Sequence, residues 1–293
     1  MCYTGAMTDL NAQTISAALT TRRLGRPTLW FARVGSTNDV AHELARGGAG
    51  DGLLVVADEQ TAGRGRLHRS WWAPPGTCLL MSLLLRPGLP PARAGQLTMC
   101  LGLAAVEAIR EVCGLEARLK WPNDVLHDGR KLGGMLAELE TAEGRLAYAV
   151  IGLGLNVNVD FARPDAPGSL RLPATSLLTA TGAPVDRLAL LAALLRAAEA
   201  LLARAEAGES LHEAWAARLD TLGRPVVVAL AGRTLEGVAT GVTPEGALLV
   251  RDDGGAIHTV WSGDVQAVRK GSNSECGYYP AAENTERPER GED

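Results

Sequence analysis

Asp58-Glu59-Gln60-Thr61-Ala62-Gly63-Arg64-Gly65-Arg66-Leu67-His68-Arg69-Ser70-Trp71-Trp72 is the most unusual stretch of the chain, with three arginines set among two glycines and two adjacent tryptophans. Glycines let a backbone approach a ligand closely. Arginines grip phosphate or carboxylate through two parallel hydrogen bonds. The tryptophans add flat apolar faces. Together these suit a mobile loop that closes over an anionic, partly aromatic ligand such as a nucleotide. From composition alone, a solvated basic loop fits equally well. No Gly-Lys-Ser/Thr follows the glycines, so the stretch is not a P-loop.

Outward from this loop the pattern alternates between strand and helix. Residues 53–57, bounded by Gly52 and Asp58, read as a buried strand, as do 29–34 and 78–85. Ser36-Thr37-Asn38 supplies N-cap chemistry for a helix reaching about Arg46. Residues 92–112 have helical period and follow a proline pair, a common helix start. Residues 131–140 and 145–153 flank Thr141-Ala142-Glu143-Gly144 and read as a hairpin. Helices resume from about 184 to 220, with an apolar stripe at Leu188, Leu191, Leu195, Ala198 and Leu202. After Gly223 the texture changes. Residues 226–230, 234–240, 247–251, 256–261 and 264–269 are five short strands between Gly-rich turns, which predicts a small barrel and a domain boundary near 222.

Three further segments carry candidate chemistry. In Lys120-Trp121-Pro122-Asn123-Asp124-Val125, Pro122 restricts Trp121 to an extended backbone, placing Lys, Asn and Asp at a rigid corner; a plain turn capped by Asn and Asp reads the same way. In Arg130-Lys131-Leu132-Gly133-Gly134-Met135-Leu136-Ala137-Glu138, two glycines inside a predicted strand mark a bulge or a close approach to the backbone. Lys131 beside them is a point charge for a carboxylate or phosphate, or a surface lysine beside a bulge. Ile151-Gly152-Leu153-Gly154-Leu155-Asn156-Val157-Asn158 ends an apolar strand in small residues and amides. Such an end borders a pocket or merely terminates the strand, and it lacks the dinucleotide-binding glycine spacing.

Composition excludes several classes. The chain has 293 residues, 46% hydrophobic and 21% charged, enough for one large domain plus a small one. A net charge of −4 argues against a protein built around a nucleic-acid footprint. The five cysteines form no CxxC pair, and Cys78 and Cys100 lie in apolar runs, so a reducing compartment is expected. Residues 1–10 show no signal peptide, and no apolar run approaches the roughly 20 residues that span a bilayer. A cytoplasmic protein without membrane contact is expected. The five histidines lack metal-ligand spacing, so no protein-built metal site is expected. No nucleophile elbow is present. Ser36 has no evident base partner and reads as a helix cap. Residues 1–8 and 271–293 read as disordered.

Gly35-Ser36-Thr37-Asn38, Glu59-Gln60-Thr61-Ala62-Gly63-Arg64-Gly65-Arg66, Lys120-Trp121-Pro122-Asn123-Asp124, Lys131-Leu132-Gly133-Gly134, Gly152-Leu153-Gly154-Leu155-Asn156-Val157-Asn158 and Ala174-Thr175-Ser176-Leu177, in this order and spacing, resemble the biotin–protein ligase family. The resemblance covers about residues 9–270. It implies an α/β (α+β) fold: a mixed-sheet catalytic domain over 9–222, related to class II aminoacyl-tRNA synthetases, and an SH3-like domain over 223–270. It implies ATP and biotin as substrates, with Mg²⁺ held mainly by phosphates, and a biotin carboxyl carrier protein domain of a biotin-dependent carboxylase as partner. Biotin would be activated to biotinyl-5′-AMP and then passed to a lysine. Ser36, Thr37, Asn38 and Gln60 would bind the polar ring of biotin. Arg64, Gly65 and Arg66 would form the biotin loop, with Gly134 and Gly152 lining the same site. Arg66 and Arg69 would approach the phosphates and Trp71 would cover the adenine. Lys120, Asn123 and Asn156 would line the ATP side. Lys131 would meet the biotin carboxylate and the α-phosphate. Asp124 would orient or deprotonate the acceptor lysine, making Lys131, Arg66 and Asp124 the catalytic group.

Two departures stand out. The family loop often reads Gly-Arg-Gly-Arg-x-Gly-Arg, whereas here Leu67 and His68 occupy the variable position and the last glycine, and His68 should stiffen the loop. Some members carry a DNA-binding domain ahead of the catalytic one. Only 35 residues precede Ser36, so a ligase-only, non-repressor form is expected. The nearest rival is a lipoate–protein ligase; Gly35-Ser36-Thr37-Asn38 and Gly63-Arg64-Gly65-Arg66 favour biotin.

Overall fold

The computed structural model describes residues 10–163, 165, 166, 173–230 and 233–267. The expected disordered segments 1–8 and 271–293, and the turn at 231–232, lie outside the described residues.

In chain order the first unit contains α1 (Ala12–Ala18), β1 (Thr28–Phe31), α2 (Thr37–Arg46), β2 (Leu54–Ala57), β3 (Cys78–Leu85), α3 (Gly95–Cys113), β4 (Arg118–Lys120), β5 (Asp124–His127), β6 (Arg130–Ala142), β7 (Arg145–Asn156), α4 (Leu177–Thr181), α5 (Arg187–Glu206) and α6 (His212–Ala216). The strands form one seven-stranded sheet in the order β1-β2-β3-β7-β6-β5-β4. Only the β1–β2 pair is parallel, with Thr28 opposite Leu54; the other pairs are antiparallel.

Strand alternation decides what each face carries. All of β3 is buried. Leu79, Met81, Leu83 and Leu85 enter the main core with α3 and α5. On β7, Ile151, Leu153 and Leu155 join the same core. The opposite face is covered over part of its width by α2, whose Ala41 and Ala45 pack on Val55, Leu84 and Val150. On that face β7 presents Gly152, Gly154 and Asn156. The strip without bulky side chains is therefore encoded by small residues placed every second position.

The stripe predicted for α5 is buried at Leu188, Leu191, Leu195, Ala198 and Leu202. Leu190, Leu194 and Leu201 are buried too, because α5 packs against both α3 and α1. The β6–β7 hairpin is tighter than expected. Its turn is Glu143-Gly144 alone, at φ 52° and 73°, and the strands run on through Ala142, which pairs with Arg145. Two positive-φ residues match the right-handed strand twist, so no longer loop is needed. The corner at 120–125 is a turn of residues 121–123 between two strand ends: Lys120 pairs with Asp124 across β4–β5, and the Trp121–Pro122 peptide is cis.

The second unit has five antiparallel strands, β8 (Pro225–Leu230), β9 (Arg233–Val242), β10 (Leu248–Arg251), β11 (Ile257–Val260) and β12 (Asp264–Ala267), in the order β11-β10-β9-β8-β12. Its β9–β10 turn is seated on the first unit. Trp121 Nε1 donates to the Gly246 carbonyl at 2.9 Å and Gln96 Nε2 to the Pro244 carbonyl at 2.9 Å. A Cβ on Gly95 would lie 2.2 Å from the Glu245 carbonyl oxygen, so glycine permits this approach. Trp121 is thus a core residue that also ties the units together. Cys78 and Cys100 are buried free thiols, and burial pushes both up to about 12, as expected of core hydrophobes. Among the described residues no helix is long and apolar enough to cross a membrane.

Candidate active site

The N-terminus of α2 lies over the small-residue strip. Ser36, Thr37 and Asn38 are each buried. The Thr37 main-chain N–H donates to Gln60 Oε1 at 2.7 Å, and its hydroxyl lies 2.9 Å from the same oxygen. Ser82 is the single non-apolar, non-sulfur residue of β3. Its hydroxyl sits 2.7 Å from Thr37 Oγ1 and 2.6 Å from Asn38 Oδ1. Asn38 Nδ2 donates to Glu138 Oε2 at 2.6 Å. Gly152 makes room for this cluster, since a Cβ there would stand 2.3 Å from Asn38 Oδ1. The reading of Ser36 as a cap needs correction. Ser36 holds the N-cap position with extended backbone, but its side chain makes no capping hydrogen bond. Its hydroxyl is therefore not spent on the helix.

The cationic residues fall into two groups. Lys131 Nζ is 2.5 Å from Asp124 Oδ1 and 5.6 Å from the centroid of the Trp71 ring, within cation–π reach. The β5–β6 register explains the pair: Asp124 lies opposite Gly134, where a Cβ would be 3.3 Å from the carboxylate and 3.4 Å from the ammonium. Segment 173–175 pins the Lys131 backbone, with Lys131 N–H donating to the Pro173 carbonyl at 2.8 Å and Thr175 N–H to the Lys131 carbonyl at 2.9 Å. Trp71 lies on Gly154, where a Cβ would be 2.9 Å from the indole. Arg66 stands between the two groups: it feels the Asp124 charge, while its guanidinium lies against the second unit. Burial pulls its pKa down, Asp124 opposes that, and Arg69 adds to it. An incoming anion would relieve both unfavourable effects.

The second group is held elsewhere. Arg64 bonds Asp39 at 2.7 and 2.5 Å and reaches Glu138 at 3.4 Å. That hydrogen bond holds the Asp39 carboxyl below its ordinary range. Arg69, expected at the phosphates, is ion-paired with Asp264 of the second unit, and Arg66 Nη1 is 3.5 Å from the Gly263 carbonyl. The amides expected on the ATP side are engaged too. Asn123 Nδ2 donates to the Met135 carbonyl, and Asn156 Nδ2 to the Thr175 carbonyl at 3.1 Å. Lys120 ends β4 opposite Asp124.

The loop itself folds as a tight turn, with Gly65 N–H donating to the Arg69 carbonyl at 2.7 Å and Trp71 N–H to the Gly63 carbonyl at 2.9 Å. The unusual backbone of the loop lies at residue 67, beside the His68 expected to stiffen it. Leu67, not residue 68, is left-handed at φ 57°, and it is 65% exposed. Left-handed backbone costs a residue with a Cβ about 1–2 kcal/mol. Leu67→Gly should therefore raise the melting temperature by roughly 2–4 °C, taking about 1 kcal/mol and the usual conversion for a chain of this size. An unchanged or lower melting temperature would show that the turn is not strained.

Sequence reasoning missed Ser82, Glu138, Asp39 and the Gly263–Asp264 turn. Ser82 was findable as a lone hydroxyl in an otherwise apolar strand, and Glu138 from its place four residues after Gly134, on the same face of an alternating strand. Asp39 and Asp264 carried no such signal. One atom in the site is conspicuous: Trp71 Nε1 is buried with no hydrogen-bond partner. A buried orphan donor costs about 1–3 kcal/mol, which an acceptor on a bound ligand would offset.

Residues 30–156 match the Biotin/lipoate A/B protein ligase family, and residues 221–267 match the Biotin protein ligase C terminal domain. The chain is 36% identical over 245 residues to a biotin–[acetyl-CoA-carboxylase] ligase of Mycobacterium tuberculosis, covering 81% of this chain and 88% of that protein. It is 35% identical over 260 residues to the bifunctional ligase/repressor BirA of Bacillus subtilis, covering 88% and 79%. The fold superposes on a biotin protein ligase from Aquifex aeolicus in complex with biotin and ATP with a TM-score of 0.68 and 30% identity, covering 83% of this chain and 99% of that one. With both of its units matched and 36% identity over 245 residues to a relative of which 88% is covered, the chain belongs to the biotin–protein ligase family.

Proposed function

We propose that the chain joins biotin to ATP as biotinyl-5′-AMP, releasing pyrophosphate, and then transfers the biotinyl group to a lysine of a biotin carboxyl carrier protein domain. The observation that carries this reading is the convergence of Lys131, Asp124 and Trp71, with Arg66 within electrostatic reach of Asp124, in the same unit as the cluster of buried Thr37 and Asn38 with half-buried Gln60. Neutral polar groups that suit a cyclic urea sit at one end. Cations and an aromatic face that suit a carboxylate and a nucleotide sit at the other. The catalytic unit is residues 9–222, with the topology of class II aminoacyl-tRNA synthetases, and 223–270 is an SH3-like unit. The protein works in the cytoplasm.

The chemistry follows from charge. The biotin carboxylate attacks the α-phosphorus, and the bond to the pyrophosphate oxygen breaks. Two anions must meet, so Lys131 and Arg66 act by neutralising and positioning them. Trp71 covers the adenine and helps exclude water from the mixed anhydride that forms. Ser36, Thr37, Asn38 and Gln60 hold the ring, with Arg64 and Gly65 closing the loop above and Gly134 and Gly152 leaving space. Arg69, Lys120, Asn123 and Asn156 complete the nucleotide side; Arg69 would leave Asp264 to do so. In the second step the amine of the acceptor lysine attacks the biotinyl carbonyl and AMP leaves. Asp124, held by Lys131, is placed to orient that amine and take its proton.

Among the described residues no group of three or more His, Cys, Asp or Glu side chains could hold a metal ion. That donor set fits Mg²⁺ arriving with the nucleotide, bound by phosphate oxygens and water, where it neutralises triphosphate charge. The deciding experiment is ATP–pyrophosphate exchange with biotin or lipoate as the acid. Exchange that depends on biotin is expected. Exchange with lipoate alone would move the chain to the other branch of the family.

A further inference from the structure

Glu138 ends the 130–138 segment without a role assigned to it, yet it touches the ring-binding cluster and the closing loop together. One carboxylate oxygen accepts from Asn38 Nδ2 at 2.6 Å, and the other lies 3.4 Å from Arg64. His42 Nε2 is 3.4 Å away on the helix side.

An ionised carboxylate only accepts hydrogen bonds, so Glu138 at 2.6 Å is the dominant of two acceptors that fix which way the Asn38 amide points, the other being the Leu136 carbonyl at 3.4 Å. The nitrogen faces Glu138 and the oxygen faces Ser82. From there the protons can be counted. Three short oxygen–oxygen contacts link Asn38 to Ser82 at 2.6 Å, Ser82 to Thr37 at 2.7 Å and Thr37 to Gln60 at 2.9 Å. The hydroxyls of Ser82 and Thr37 supply one hydrogen each, so three contacts share two protons. The chain of oxygens is one donor short. A ligand bringing an N–H supplies what is missing, while a ring without one leaves buried acceptors facing each other.

We infer that Glu138 is a specificity-determining positioning residue: by locking the Asn38 amide, it makes the largely buried Asn38–Ser82–Thr37–Gln60 cluster demand an N–H-bearing ring. This rests on the proposed function and goes beyond it, since the acceptor excess is set by a residue that would not touch the ligand. In Glu138→Gln the short, charged constraint lifts, and only the long 3.4 Å contact of Asn38 Nδ2 with the Leu136 carbonyl opposes a turn of the amide. The Asn38 amide can turn, its nitrogen donates to Ser82, Ser82 to Thr37 and Thr37 to Gln60. Every contact then has a proton, and the demand for a donor disappears.

Calorimetric titration with biotin and thermal melting of the ligand-free chain test this. Glu138→Gln should weaken biotin binding about tenfold, equivalent to about 1.4 kcal/mol, with a melting temperature equal to or above the wild type. Affinity within twofold of wild type overturns the inference. So does a loss of affinity accompanied by a lower melting temperature, which marks a merely structural role. Ser82→Ala separates the route. In that background Glu138→Gln should cost less than twofold, because the chain it acts through is cut. Losses that multiply would place the effect in Arg64 instead and remove the inference. Failure of the wild-type chain to bind biotin would defeat the proposed function itself, a distinct result.

Discussion

Lys131→Ala is expected to slow biotin-dependent pyrophosphate release by about 10²–10³, the loss typical when one preorganised charge is removed from a transition state. The ammonium lies 2.5 Å from Asp124 and over the Trp71 ring. Its backbone is pinned on both sides by segment 173–175, so its position does not depend on the loop. The side chain is 28% exposed and that of Asp124 is 15% exposed. Truncation therefore leaves a largely buried carboxylate without its partner. That costs on the order of 1–3 kcal/mol, and the melting temperature should fall by several degrees, more than an exposed lysine would cause. Lys131→Arg should restore the melting temperature more than the rate, because a planar fork replaces a point charge. Single-turnover assays following pyrophosphate and melting curves check both parts. Normal pyrophosphate release in Lys131→Ala would remove this residue from the chemistry.

What could be read from the sequence was local. Ser36-Thr37 announced the start of α2, the five strands of the second unit were separated by turn residues, and the α5 leucines declared their face. These depend on neighbours within a few positions along the chain. The arginine loop was legible as chemistry for the same reason. The partners of that loop were not. Arg64 finds Asp39 and Glu138, and Arg69 finds Asp264, 195 residues away. Nothing near Asp264 in sequence distinguishes it from other acids at strand ends. The reach of a guanidinium across a domain boundary is a tertiary fact, set by where the β9–β10 turn seats on Gly95 and Trp121. The hydroxyl of Ser36 failed the other way. A local rule assigned it to the helix, and the pocket leaves it uncommitted.

Gly152→Ala is expected to be the most damaging single methyl in the site. The added carbon would stand 2.3 Å from Asn38 Oδ1 and 3.1 Å from Asn38 Cγ, well inside contact distance. Asn38 is almost fully buried and held by Ser82 and Glu138, so it has no free direction in which to yield. Either the amide swings away and abandons both hydrogen bonds, or β7 shifts from β3, where Gly152 pairs with Ser82. Overpacking costs about 1–3 kcal/mol, and each buried group left unpaired adds about 1–3 kcal/mol. The melting temperature should fall by roughly 5–15 °C on the usual scaling for 150–250 residues. Biotin binding should weaken at least 100-fold, because the residues at the α2 N-terminus move together with Asn38. Pairing the change with Asn38→Ala tests the mechanism directly. Removing the amide vacates the space the methyl needs, so the double variant should melt above Gly152→Ala alone. A double variant that melts lower still would place the clash in the sheet rather than in the amide.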